Sequence, residues 1–198
     1  MTGKLKGIRS INTSPVDNPF CLMMSKNPNT ICSKCYSIKM IKNGYRKNCL
    51  PAWQKMGDLL SSDLLDISEI KACPNCNLIR FSAHGELINL THLENLIQIT
   101  KANPQAICTL FTKRKDLVEQ LNQPIPANML MVYSNPLINK RMYSYDIPKK
   151  FDKIFSVFTE DYAKYWGINI NCGKKKCKNC QICYTTFSTT NVINELIK

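Results

Sequence analysis

The chain has 198 residues, with 27 lysines and arginines against 14 aspartates and glutamates, a formal charge of +13. Its 44% hydrophobic content is enough for one core and excludes wholesale disorder. No stretch approaches the roughly 18 apolar residues of a bilayer-spanning helix, and residues 1–7 lack a secretory apolar segment, so a cytoplasmic protein with no membrane partner is expected.

In chain order, the first fifty residues read as irregular, rich in Asn, Pro, Ser and Lys and punctuated by Pro15, Pro19 and Pro28. Trp53, Met56, Leu60 and Leu64 recur at helical spacing and predict a helix over 51–65. Residues 78–83 read as a strand. Thr91 and Glu94 have capping-box spacing and open a helix that turns Leu93, Leu96, Ile97 and Thr100 inward. A strand over 106–111 precedes a helix over 115–122. Further strands are expected over 129–134 and 153–158, then a helix over 161–166 and a short strand over 168–170.

The main strands begin near 78, 106, 129 and 153, one every 23 to 28 positions. Apolar strands alternating with helices at that period mark βα units and a parallel sheet. The units are too few for a closed eight-fold barrel. The expected fold is therefore one α/β domain, a partial (β/α) barrel or an open parallel sheet. Its βα units span 78–170, between Cys-containing irregular segments at 1–50 and 171–198. Chemistry in such folds sits at the C-terminal ends of strands, here 83–86, 112–113, 134–135 and 159–160.

Eleven cysteines are far more than a core needs. In a reducing compartment grouped thiols read as metal or cluster ligands rather than disulfides. Cys108 lies in an apolar run and reads as a small core residue; Cys49 is open to either reading. The other nine form three groups: Cys21 with Cys32 and Cys35 (C-x10-C-x2-C), Cys73 with Cys76, and Cys172, Cys177, Cys180 and Cys183 (C-x4-C-x2-C-x2-C). A two-residue gap turns both sulfurs toward one metal. The late group could complete a site alone, or two of its members could pair with Cys73 and Cys76. Its first three match part of a plant-type [2Fe–2S] spacing. The first group offers three thiols: a [4Fe–4S] cluster with one open iron, or a zinc site completed by His84, His92 or another cysteine.

The +13 charge has two readings. Excess Lys and Arg neutralise phosphates and supply sequence-independent affinity for nucleic acid. A Lys-rich solvated surface gives the same count, and the runs at 113–115, 149–150 and 174–176 are short and dispersed.

Cys21, the Cys32-Ser33-Lys34-Cys35-Tyr36 run, the strand ending in Arg80-Phe81-Ser82-Ala83-His84-Gly85-Glu86-Leu87 and the late cysteines together resemble the phage gene-product-88-like proteins. These in turn look like compact relatives of the radical S-adenosylmethionine (SAM) enzymes. The resemblance covers motifs and strand rhythm over about 15–185. It implies a partial (β/α)6 barrel with a [4Fe–4S] cluster on Cys21, Cys32 and Cys35. The open iron would chelate the SAM amino and carboxylate groups, and the reduced cluster would cleave SAM to methionine and a 5′-deoxyadenosyl radical. It further implies that Gly85 and Glu86 meet the SAM ammonium, that Ser134 contacts the ribose, and that a flavodoxin or ferredoxin supplies the electron. A second Fe–S cluster or zinc would sit at the late cysteines, on Cys172, Cys177, Cys180 and Cys183 alone or on two of them with Cys73 and Cys76. Two features depart from the usual pattern: the first gap is ten residues rather than three, and the aromatic Tyr36 follows the last cysteine rather than preceding it. Glu86 also reads simply as an acid at a helix N-terminus. The rival functions are a non-catalytic, zinc- or cluster-stabilised basic accessory protein that binds nucleic acid or a host protein, and a metal–sulfur redox carrier.

Overall fold

The computed structural model describes residues 3–173, 175–186 and 190–197. Six strands form one sheet: β1 (Arg9–Ile11), β2 (Leu78–Phe81), β3 (Ile107–Thr112), β4 (Met129–Ile138), β5 (Lys153–Phe158) and β6 (Val192–Leu196). All five pairings are parallel, and each strand lies beside its neighbours in sequence, in the order β1-β2-β3-β4-β5-β6. This is the expected α/β fold with an open parallel sheet.

Three main helices cover one face: α3 (Leu50–Ser62), α4 (Leu90–Lys101) and α5 (Lys115–Gln120), numbered after α1 (Pro19–Ser25) and α2 (Tyr36–Lys42). Leu60, Leu93, Leu96, Ile97, Leu117 and Val118 pack there against Ile79, Phe81, Cys108, Leu110, Met129 and Met131. Each such side chain contributes about 1.5–3 kcal/mol on burial. Cys108 is fully buried, and burial pushes its thiol up to about 11. The opposite face differs in kind. The Arg80 guanidinium lies 3.3 Å from the centroid of Phe111, whose ring meets Phe155 edge-on at 5.5 Å. The C-terminal segment closes over this face, with the Thr109 hydroxyl donating to the Cys183 carbonyl at 3.1 Å.

Several boundaries move from their expected places for local reasons. Helix α4 is capped by Asn89, whose side chain accepts from the His92 N–H at 2.9 Å; Thr91 falls inside the first turn. Helix α3 stops at Ser62 because buried Asn95 of α4 takes the chain end: its amide donates to the carbonyls of Leu60 and Asp63 and accepts from Leu65 N–H. Leu64 therefore lies beyond the helix and is exposed, while Gly57 joins Trp53 and Leu60 on the buried face. Strand β4 runs on to Ile138 through a register shift after Ser134. Residues 168–170 are not a strand. Ile168 packs under Phe158 and Ala163, the latter in α6 (Glu160–Tyr165), and the segment runs beside β6. The N-terminal fifty residues hold β1, α1 and α2 rather than irregular chain alone. No helix among the described residues is long and apolar enough to cross a membrane.

Candidate functional site

The chain leaves β1 across the C-terminal edge of the sheet and is fastened to the end of β2. Thr13 N–H donates to the His84 carbonyl at 3.2 Å, and His84 N–H donates to Asn12 at 3.0 Å. Asn18 caps α1 by accepting from Cys21 N–H at 3.2 Å, while its amide donates to the Glu86 carbonyl at 2.9 Å. One buried asparagine thus sets Cys21 against the loop after β2. Cys32 lies in a 3₁₀ turn (Ile31–Lys34), and Cys35 precedes α2. The turn is held by buried Thr30, which donates to the Met24 carbonyl at 2.9 Å and bridges to Leu137 of β4. Helix α2 is pinned by Tyr36, whose hydroxyl donates to the Ala83 carbonyl, and by Ser37, which lies 2.9 Å from His84 Nδ1.

Gly85 makes this layering possible. Its φ is +78°, and a Cβ there would fall 2.5 Å from the Thr13 carbonyl oxygen. Buried Glu86 follows and turns its carboxylate onto β3. It accepts from Leu87 N–H at 2.9 Å, from the Thr112 hydroxyl at 2.6 Å and from Lys113 N–H at 2.9 Å. It is therefore not a helix N-terminal acid; Asn89 fills that place.

Lys113, directly after β3, is the centre of the charge pattern. Burial opposes its ammonium, yet Cys32, Glu86, Cys21 and Cys35 around it hold its pKa above the ordinary lysine value. Burial raises the Cys21 thiol well above its usual range, and Glu86 adds to the rise. Burial also raises Cys32, against the pull of Lys113. Metal binding would convert thiols to thiolates and add negative charge beside the ammonium.

The late cysteines gather on the other side of the sheet. Cys177 and Cys180 bound a single helical turn, α7 (Cys177–Cys180), which Gln181 ends at φ +54°, and Cys183 follows in a 3₁₀ turn. Burial pushes the Cys183 thiol up to about 12; Arg80 opposes this, and Cys172, Cys177 and Cys180 add to it. Cys172 Sγ lies 3.7 Å from Lys4 Nζ and 3.9 Å from Glu195 Oε2, and Lys4 is ion-paired to Glu195. Buried Lys153, donating to the Thr190 carbonyl at 3.2 Å, also faces Cys183. Three cations, Lys4, Arg80 and Lys153, and one carboxylate, Glu195, thus surround the four thiols.

Cys73 and Cys76 are joined to each other as a disulfide with Cα atoms 5.6 Å apart. They precede β2, at the sheet's N-terminal end, and pack into the helix-covered core. The late four cap the opposite face, so the structure does not bring the two groups together. Neither histidine completes a site with the first three thiols. His84 pairs with Ser37 and stacks on Trp53 at 4.4 Å, while His92 Nδ1 accepts from Ile88 N–H at 3.2 Å. Among the described residues, no three His, Cys, Asp or Glu side chains already stand close enough to hold one metal ion.

A family model described as Gene product 88 matches residues 6–191. The chain belongs to the gene product 88 family. No curated protein and no solved structure matches it. The matched span takes in every element from β1 to α7 and all eleven cysteines.

In this gene product 88 family member, Glu86 lies at a strand end as expected, and Cys21, Cys32 and Cys35 lie around the same Lys113 without standing close enough to share a metal ion. Ser134 is buried within β4, in register with Phe155, at the same edge of the sheet. In the sequence Lys113 reads only as part of a strand end and of a basic run, and Asn18 is not singled out. The signal for Lys113 was its place directly after a strand. Asn18 sits one residue before the proline of a helix start, a capping position.

Proposed function

We propose that this gene product 88 family member is an iron–sulfur protein of radical SAM type, with a [4Fe–4S] cluster on Cys21, Cys32 and Cys35 and a second metal or cluster on Cys172, Cys177, Cys180 and Cys183. The observation that carries this reading is the grouping of three thiols, Glu86 and Lys113 at the C-terminal edge of a parallel sheet. The donor types fit: three thiols on short turns beside a half-buried cation, Lys113. The thiols would have to draw closer together to share a cluster. Six parallel strands in consecutive order also suit a partial (β/α) barrel, in which all crossovers lie on one side.

When bound, the cluster would supply one-electron reduction of SAM, with the electron coming from a carrier such as flavodoxin or ferredoxin. The chain's own residues orient and enclose. Asn18 fixes Cys21 relative to the loop at 85–86. Gly85 lets the chain after β1 lie on that loop, and Lys113 balances thiolate charge. Glu86 Oε2 accepts from Lys113 N–H and retains a lone pair for the SAM ammonium. Ser134 stands at the same edge for the ribose. At the late site, Arg80, Lys4 and Lys153 would offset the charge of four thiolates, whether these hold zinc or a cluster.

The test is anaerobic purification with iron, sulfide and zinc analysis, followed by an assay of SAM cleavage under reductant. About four irons and four sulfides per chain at the first site are expected, lost in Cys32→Ala together with cleavage, while metal at the late site remains. Stoichiometric zinc without sulfide would remove the radical chemistry and leave a metal-stabilised basic binding protein.

A further inference from the structure

Beside the cysteine loop the structure holds a cleft of about 560 Å³. Asn29 and Lys34 of that loop form one wall; Asn139 and Lys140, beyond β4, and Thr159, beyond β5, form the other. The walls are tied together by Ile138 N–H, which donates to the Asn29 carbonyl at 3.2 Å, and the second wall is braced by Thr159 N–H, which donates to the Asn139 side chain at 2.8 Å. Two lysines line the cleft and no carboxylate does. From Lys140 the chain runs directly into Arg141, whose guanidinium lies 5.0 Å from the ring centroid of Tyr143. Tyr143 stacks on Tyr145 at 5.2 Å with their planes 12° apart, and Tyr145 is 80% exposed. The acid in this turn, Asp146, is engaged in shaping it: its carboxylate accepts from Tyr143 N–H at 2.8 Å.

From these features we infer a binding surface for single-stranded nucleic acid, running from this cleft along Lys140 and Arg141 to the Tyr143–Tyr145 stack. Phosphates are matched by cations in a cleft free of acids. Bases are matched by a flat, exposed aromatic face, which stacks any base and needs no sequence code. A duplex buries the faces of its bases, so the single strand is the fitting form. The chain's +13 charge supplies the long-range attraction. The surface uses none of the thiols, although its wall at Lys34 lies between Cys32 and Cys35, and its reading does not depend on the proposed radical chemistry.

The test is fluorescence anisotropy of labelled twelve-residue oligothymidylate and oligouridylate with the anaerobically purified full chain across a salt series, with the matching duplex and phosphatidylserine vesicles as competitors. The expected result is single-strand binding that weakens linearly in log–log form with salt. Tyr143→Ala and Tyr145→Ala should each weaken it about 5-fold or more. Lys34→Ala and Lys140→Ala should each reduce the salt slope by about one, and Tyr45→Ala, at a tyrosine equally exposed but outside the path, should leave it unchanged. Absence of binding at low salt, unchanged affinity in both stack variants, or vesicles displacing the strand while duplex matches it would overturn the inference. Iron measured on the same samples keeps the two readings separate: iron-free protein that still binds the strand supports this surface while sinking the cluster.

Discussion

At Gly85 a single hydrogen in place of a side chain decides whether the chain after β1 can lie against the loop after β2. Gly85→Ala would meet both a left-handed φ and the Thr13 backbone, so a loss of at least about 2 kcal/mol is expected in a urea melt. A midpoint within error of wild type would show that the two segments can part cheaply. At Glu86 the cost is electrostatic. Glu86→Gln keeps the volume but turns an amide donor toward Thr112 or Lys113 N–H, and about 2 kcal/mol should be lost. The histidines give the pH dependence. Burial lowers both His84 and His92 to about 4, from an ordinary 6.5, and Arg46 adds to the effect at His84. The unfolded chain takes up these protons below pH 6.5 while the folded chain refuses them until about 4. Stability is therefore full above pH 6.5 and falls as pH drops, by about 2 kcal/mol per histidine between pH 7 and pH 5. His92→Asn, which retains an acceptor for Ile88 N–H, should remove about half of that fall in paired urea melts. These residues also mark what was readable in advance. The cysteine triplet and Gly85-Glu86 stand out by spacing and by following a strand. Lys113 follows a strand too, but its place beside Glu86 and the thiols does not show in the sequence, nor does that of Asn18, because their partner Glu86 lies 27 and 68 residues away in the chain.

Among the elements, α3 and α4 are joined less by apolar contact alone than by two asparagines. Asn89 caps α4 and donates to the Ser61 carbonyl at 2.8 Å, and Asn95 closes the end of α3. Asn89→Ala should cost about 1 kcal/mol, the usual worth of a cap. Asn95→Ala should cost about 2–3 kcal/mol, since it orphans the buried Leu60 carbonyl together with the partly buried Leu65 N–H and Asp63 carbonyl. Equal losses in the two variants would argue that water reaches the end of α3. Legibility follows the same physics. Strands β3 and β5 were readable because burial on both faces makes them continuous apolar runs, and β5 matches its expected span of 153–158. Strand β1 has three residues, too few for a period, and β6 carries Asn194 and Glu195, so neither announces itself. The end of α3 was misread because Leu64 fits the helical period while Asn95, thirty residues away, ends the helix before it.

Across the whole molecule the sheet separates three kinds of chemistry. The disulfide lies at its N-terminal end, three thiols lie at its C-terminal edge, and four more lie on the face away from the large helices. The late group bears mechanically on the fold, since its segment covers Arg80, Phe111 and Thr109 and leads into β6, which pairs with β5. Metal bound there would tie α7 and the turn at Cys183 to the sheet edge at β6, which the β5 ladder, the segment at 169–172 and Lys4 also hold. Burial favours the protonated form of Cys172, Cys177 and Cys183, and Glu195 adds to this at Cys172 while Arg80 opposes it at the other two. The ligand form is the thiolate, so binding must expel these protons. Titrating zinc into metal-free Cys32→Ala protein, which lacks a complete first site, in buffers of different ionisation enthalpy should therefore show release of about three protons or more per ion at pH 7. The thermal midpoint should rise with the metal, and Cys177→Ser should abolish both effects. Tight binding with no proton release would mean that the four thiols are already ionised under Arg80, Lys4 and Lys153, so that the cations rather than burial govern this face of the sheet.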